Sequence, residues 1–406
     1  MKNEVRRNRD NEMKSSDDQK KYRIVRTKAK DKKYGASYYW GFALRVLYRI
    51  ILIIVTLALI VVFGAYKSID TIAHGPSPRF RDMLVQMAME SSAAKWVPRL
   101  VLSEAEVNEI MNKRDEAVVE EVDVPVINGG DVTGPVITPE QHGGETLPPP
   151  DISDGIEYYS ESTGTFRAYI MIVHDPSKVF VGISSNDFPN ATRGQRIYDA
   201  AKKYGAIAAI NGGEFRDTGG QGLGERPIGL TYSQGKCVWD DGTKRTFFGI
   251  DKDNKLIVTE GMTKKKADEL GIRDGVSFQT NNVLIYTENG STYRVNKDDS
   301  LSKAQRTAVG QRADGKFIFI VTDGRSASSL GATYDDITDM MLKYGAINAG
   351  MLDGGSSAMM YYANYISKFN VDVNTLDEFQ QLGLVNKYKA FTRPRPLPTF
   401  FMVMPK

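Results

Sequence analysis

Ile50 to Tyr66, IILIIVTLALIVVFGAY, is a run of 17 uncharged and mostly apolar residues. A hydrocarbon core of ~30 Å takes about 20 helical residues to cross, so this run sits at the short end of what can span one. Its flanks extend the reach. Arg45, Arg49 and Lys67 can snorkel, and Trp40, Tyr48 and Tyr66 stand near the two ends, at the height aromatic side chains prefer. The basic segment before the run is 49 residues long, far beyond the n-region of a secretory signal, and no A-x-A site follows Phe63. The run therefore reads as an uncleaved signal anchor over residues 50–67. The basic side is expected to stay in, with the C-terminal bulk outside.

The formal net charge of +3 is an average across that boundary. Residues 1–67 carry +10 and residues 68–406 carry −7. Basic charge stops where the apolar run ends, which excludes a uniformly basic nucleic-acid binder. The single cysteine, Cys237, excludes an intrachain disulfide and a Cys-rich zinc site. The three histidines, His74, His142 and His174, are scattered, so acid–base work falls to Asp and Glu. Few cysteines and a basic tail suit a single-pass protein of a Gram-positive cell surface.

Five regions follow from the pattern: a basic cytoplasmic tail (1–49), the anchor (50–67), a helical membrane-proximal stalk (68–114), a linker (115–155) and a globular domain (156–406). In the stalk, Ser103 and Glu106 form a capping-box start for a helix through Met111. The linker is rich in Pro, Gly and acidic residues and contains Pro148-Pro149-Pro150. His142 falls there and is expected to be exposed. In the globular domain the clearest hairpin pairs Arg306–Gln311 with Lys316–Gly324 around a turn at Ala313-Asp314-Gly315. The Phe317–Val321 run suits a strand buried on both faces. Thr333 caps a helix through Tyr344, with Ile337, Met340, Met341 and Tyr344 on one stripe. His174 ends a strand beside the Asp175-Pro176 turn.

Two segments echo each other. Both contain Lys-Tyr-Gly-Ala-Ile, and they end in Asn211-Gly212-Gly213 and Asp353-Gly354-Gly355. The shared grammar is helix, glycine cap, buried strand, then a short polar residue on a glycine turn. Asn211 and Asp353 are thus presented at the carboxyl ends of strands, where α/β architectures place ligands. The glycines let a ligand approach main-chain amides, which suit phosphate or sugar hydroxyls.

At Asn211–Phe215, Arg306–Gly310, Val321–Arg325 and Leu352–Ser357 the chain resembles the phosphodiester glycosidase domain family, over roughly residues 165–405. Bacterial relatives are often labelled exopolysaccharide biosynthesis proteins. The resemblance implies a mixed α/β (α+β or α/β) fold, a single globular domain with a central mixed sheet flanked by helices, preceded here by one transmembrane helix. It implies hydrolysis of a sugar 1-phosphodiester to a free sugar and a phosphomonoester. The family's polar positions fall on Asn211, Arg306, Asp323, Asp353 and Ser356, and its turn glycines on Gly212, Gly213, Gly354 and Gly355. Departures from the pattern fall at Glu214, at Phe278–Asn281 and at Ser356, which replaces a third glycine.

On that footing Asp353 is expected nearest the anomeric carbon, as nucleophile or as base for water, with Asp323 its partner or a hydroxyl binder. Arg306 is expected to grip the phosphate, with Ser356, Ser357 and loop amides. Asn211 is expected to bind a sugar hydroxyl or acetamido group, and Glu214 to act as an optional general acid. No cofactor is required, although close carboxylates could hold Ca²⁺ or Mg²⁺. The expected partners are a phosphosugar or polysaccharide substrate, in cell-surface polysaccharide or teichoic-type polymer metabolism, and the membrane through one helix, with no nucleic acid. A non-catalytic carbohydrate-binding or assembly protein, or a cell-wall polymer transferase, would fit the same residues.

Overall fold

The apolar run lies inside one long helix, α1 (Ala36–Ala73). From Trp40 to Ala73 it is long and apolar enough to cross a membrane, and none of its most apolar stretch is buried against protein. The computed structural model describes residues 36–89, 94–124, 152–297, 302–326, 329–388 and 393–406. Residues 1–35 of the basic tail, His142 and Pro148–Pro150 lie outside the described residues, as do residues 125–151 of the expected linker.

The segment after α1 is helical, as its apolar period predicts. Helices α2 (Pro78–Met89) and α3 (Glu104–Asp115) bury Val85, Leu102, Val107 and Ile110 in a small cluster of their own. Ser103 and Glu106 close the capping box that starts α3.

Beyond residue 116 the chain builds three antiparallel sheets. The largest has eight strands in the order β1-β12-β11-β15-β13-β14-β3-β2. Its members are β1 (Ala117–Val122), β2 (Ile156–Ser162), β3 (Arg167–Val173), β11 (Val283–Glu288), β12 (Ser291–Lys297), β13 (Thr307–Arg312), β14 (Phe317–Thr322) and β15 (Ala346–Met351). A four-stranded sheet joins β16 (Met360–Tyr362), β5 (Ala208–Asn211), β17 (Thr399–Val403) and β4 (Val179–Ile183), in that order. A five-stranded sheet joins β7 (Lys236–Asp240), β6 (Leu230–Ser233), β10 (Ile272–Phe278), β8 (Thr246–Asp251) and β9 (Leu256–Glu260).

The class is mixed helix and sheet, as expected, but the strand pairing differs from the expected central mixed sheet. Every neighbouring pair is antiparallel, and β2–β3, β6–β7, β8–β9, β11–β12 and β13–β14 follow one another in the chain through short turns, which only antiparallel strands can use. The turn at Gln234-Gly235 and that at Asn289-Gly290 both place two residues at positive φ, the geometry a two-residue hairpin needs. A second difference concerns the linker. Residues 117–122, read as its start, form strand β1 and pair with β12 from Ala117↔Lys297 to Val122↔Thr292. The β-branched content of Ala-Val-Val-Glu-Glu-Val favours an edge strand over an unpaired tether.

Strand β14 shows why the layers stack as they do. Phe317, Phe319 and Val321 face a core shared with β4, β5, β8 and β17, while Ile318 and Ile320 face the other side. There helix α6 (Tyr334–Lys343) packs its Ile337–Met341 stripe. Each fully buried side chain of this size contributes about 2–3 kcal/mol of transfer free energy. Helix α4 (Ile197–Tyr204) covers the outer face of the four-stranded sheet through Ile197, Ala201, Ala209, Phe400 and Met402. Gly205 after α4 and Gly345 after α6 both lie at positive φ, so the two echo segments share their helix stops as well as their sequence.

Candidate active site

The two echo segments end against each other. The Asn211 side-chain amide donates to the Asp353 carbonyl at 2.6 Å, and the Asp353 amide donates to the Gly212 carbonyl at 3.3 Å. They reach this point from different sheets, β5 and β15, so the junction ties the two together.

Asn211 is wholly buried, and its side-chain oxygen accepts from Thr307 Oγ1 (2.7 Å) and from the Met359 amide (3.1 Å). The expectation that Asn211 meets sugar is corrected by this geometry: it fixes the main chain of Asp353. Gly212 and Gly213 are corrected likewise. Their amides donate to the Thr399 carbonyl and hydroxyl, not toward open space. A Cβ on Gly213 would come within 2.1 Å of the Ser277 carbonyl oxygen, so these glycines permit chain to pack on chain.

Asp353 itself is half-buried. Burial pushes its carboxyl up to about 6 against a hydrogen bond from Ser357 and the charge of Arg395, while the charge of Glu214 pushes it further up. Its neighbour Gly355, at positive φ, donates to the Gln305 carbonyl at 2.8 Å and turns the chain into a single 3₁₀ turn, Gly355–Ser357. Ser357 is buried behind Asp353, and Ser356 is exposed. The two serines thus part company: Ser357 supports the carboxylate, and Ser356 faces the cleft beside it.

Arg306 is not where a phosphate could reach it. Its side chain is buried, donating to the carbonyls of Ala332 and Ser302 and lying 5.1 Å from the Tyr334 ring centroid. The Arg306–Gly310 motif is a structural brace at the start of β13. Glu214 is engaged as well, accepting from Arg245 Nε at 2.6 Å. It stands close enough for its charge to act on Asp353.

Asp323 follows β14. One of its oxygens accepts from the Tyr169 hydroxyl at 2.7 Å. Burial pushes its carboxyl up, opposed by that hydrogen bond and by the charges of Arg167 and Lys387. Lys387 and the next residue, Tyr388, link the two acids: Lys387 acts on Asp323, and Tyr388 senses the charge of Asp353 and Arg395.

Both residues line a cleft of about 640 Å³, with Gln221, Gln305, Ser356 and Asn386 among its polar walls. The cations on its walls are Arg193, Arg196, Lys387, Arg393 and Arg395. None of these five was foreseen from motifs. The available signal was Arg393-Pro394-Arg395-Pro396, where proline removes two amides and stiffens a loop carrying two guanidinium groups. Arg395 also lies over the Phe215 ring at 5.8 Å, which holds it near Asp353.

The glycine-rich stretch 213–227 borders this cleft and is tied into the fold. Gly194 donates to the Leu223 carbonyl, Arg216 to that of Arg226, and a Cβ on Gly224 would strike the Pro396 carbonyl oxygen at 2.2 Å. His174 pairs with the buried Glu157, well apart from this chemistry in the fold's hydrogen-bond network. Among the described residues no group of three or more His, Cys, Asp or Glu side chains gathers to hold an ion.

With this geometry in hand, the comparisons with known proteins are specific. Residues 204–404 match the family model described as phosphodiester glycosidase. The chain is 27% identical over 225 residues to the SPbeta prophage-derived uncharacterized protein YomE of Bacillus subtilis, covering 51% of this chain and 33% of that protein. It is 24% identical over 194 residues to human N-acetylglucosamine-1-phosphodiester α-N-acetylglucosaminidase, covering 45% of this chain and 37% of the enzyme. Among solved structures it is similar to the catalytic domain of the zebrafish enzyme, at 19% identity and a TM-score of 0.47, over 63% of this chain and 85% of that one. The chain spans about a third of the length of the curated relatives it matches. The match takes in Asn211, Glu214, Arg306, Asp323, Asp353 and the cleft cations from Lys387 to Arg395: the chain carries, over residues 204–404, a domain of the phosphodiester glycosidase family.

Proposed function

We propose that the chain hydrolyses a sugar 1-phosphodiester, with Asp353 as the carboxylate at the anomeric carbon. The observation that carries this reading is the half-buried Asp353, pushed up to about 6 and acted on by Arg395, just before Gly355 and Ser356 on the wall of a cationic cleft. In the reaction the C1–O bond to phosphate breaks and the phosphomonoester leaves with the electron pair. Oxygen from water joins C1. That leaving group needs little protonation compared with an alcohol, so a site without histidine suffices. What the site must supply is negative charge near an oxocarbenium-like carbon and positive charge near the departing phosphate.

Asp353 supplies the first, as nucleophile or as base for water, and the anomer formed first separates these two roles. Arg395 supplies the second, in place of Arg306, assisted by the Ser356 hydroxyl. Asp323, braced by Tyr169, serves as partner or hydroxyl binder. Glu214 tunes Asp353 through its charge. The substrate is a GlcNAc-1-phosphodiester-like linkage in cell-surface glycan metabolism. α1 is a single-pass anchor that leaves the catalytic domain outside, which protease treatment of intact cells tests directly.

The decisive experiment measures release of sugar from a GlcNAc-1-phosphodiester by the wild-type chain and by Asp353→Asn. Turnover that survives in a folded Asp353→Asn protein sinks the assignment. Adding a sugar acceptor and identifying products distinguishes hydrolysis from transfer.

A further inference from the structure

One phosphodiester carries one negative charge, and one arginine fork is enough to hold it. The cleft presents five cationic side chains, from three stretches of chain. Backbone pairing forces them together. Gln195 and Leu397 exchange both main-chain hydrogen bonds, at 3.0 and 2.8 Å, so Arg193 and Arg196 are laced beside Arg393 and Arg395. Lys387 enters from the stretch after β16. Among the described residues none of the five has a carboxylate salt-bridge partner within 4.0 Å, and no Asp or Glu is among the residues lining the cleft. Arg193, Lys387 and Arg393 are exposed. Like charges gathered on one cleft repel, and among the described residues only Lys387 and Arg395 of the five act on carboxylates behind its walls, Asp323 and Asp353, although residues 68–406 carry a net −7. Polyanions of several kinds would relieve that repulsion. Nucleic acid is disfavoured by the described walls: among the described residues the one aromatic lining the cleft is Tyr388, whose hydroxyl is tied to the Ser356 carbonyl, and Phe215 is already covered by Arg395. Among the described residues bases would find no free stacking platform.

We propose that the cleft binds an oligomeric phosphodiester chain, a glycan or polyol backbone bearing several phosphates, with Arg395 at the scissile linkage and Arg193, Arg196, Lys387 and Arg393 on neighbouring phosphates. The proposal rests on the reading that Asp353 cleaves a sugar 1-phosphodiester, and it adds that the linkage belongs to a repeating anionic polymer.

The test measures binding of a synthetic poly(glycerol phosphate) oligomer, inorganic phosphate and a single-stranded DNA of matched charge to the full chain in detergent. The oligomer should bind at least tenfold more tightly than either competitor. Its affinity should fall about tenfold or more between about 50 and 200 mM salt, as release of counterions from about three phosphate contacts requires. R193Q/K387Q should lose at least tenfold in oligomer affinity, and R193K/K387R should restore it, which separates charge from folding. Oligomer affinity no better than that of inorganic phosphate, equal to that of DNA, or unmoved in R193Q/K387Q overturns the proposal. These binding measurements need no turnover. Oligomer binding without hydrolysis of any sugar 1-phosphodiester would retire the catalytic reading alone. Hydrolysis without oligomer preference would retire the polymer alone.

Discussion

Asn211-Gly212-Gly213 and Asp353-Gly354-Gly355 are written in nearly the same way and do different work. Each follows a helix stopped by a positive-φ glycine and a short strand, β5 or β15. Asn211 is sealed, with every close partner a protein group. Asp353 borrows its backbone position from Asn211 and stays half-buried, just before Gly355 and Ser356, which line the cleft. An uncharged amide can be buried at modest cost when its hydrogen bonds are made, whereas a carboxylate in the same place shifts its proton affinity. On the proposed function the pair divides into a positioning half and a reactive half, and that division is open to attack by mutation.

The largest effect should come from Asp353→Asn, which removes the charge and keeps the shape. Turnover of a GlcNAc-1-phosphodiester should fall by about 10³-fold or more with the unfolding transition unchanged. Asn211→Ala should do the reverse kind of damage. It strands the Thr307 hydroxyl and the Met359 amide, and stability measured by denaturant unfolding should drop by about 2–3 kcal/mol. If Asn211→Ala kept its stability and lost only activity, the division between the halves would be wrong.

Arg395→Gln should raise KM about tenfold, the loss of one charge-assisted contact, with a smaller change in kcat. The pH profile sharpens the comparison further. If the working form of Asp353 is the carboxylate, activity should rise with pH through about 6. Arg395 favours the charged form, so Arg395→Gln should move that limb to higher pH. Glu214 opposes the charged form, so Glu214→Gln should move it to lower pH, the smallest of these effects. A limb that stays in place in both variants would mean that another group sets it.

The sequence was a good guide where local chemistry decides. The Ser103 capping box, the Thr333 cap, the buried run of β14 and the helical stripe of α6 stand where spacing placed them, because those features depend on neighbours within a turn or two. The place of Asp353 just past the buried strand β15 was legible for the same reason. Arg306 was not. A motif gives the residue but not the direction of its side chain, and the packing of Ser302, Ala332 and Tyr334 around the guanidinium is decided by distant chain. The cleft cations escaped notice because their proximity rests on the pairing of Gln195 with Leu397, about two hundred residues apart, which no local pattern encodes.

Strand β1 lies outside the 204–404 family segment yet covers the flank of β12 over six paired residues. A truncated version starting at residue 156 would leave β12 with its outward amides and carbonyls bare, next to the stacked rings of Tyr286 and Tyr293. Bare edges of this kind recruit one another, so such a fragment would tend to clump in solution even with every catalytic group in place. The soluble piece to express begins ahead of Ala117, and the six residues of that strand act as a built-in guard against self-association.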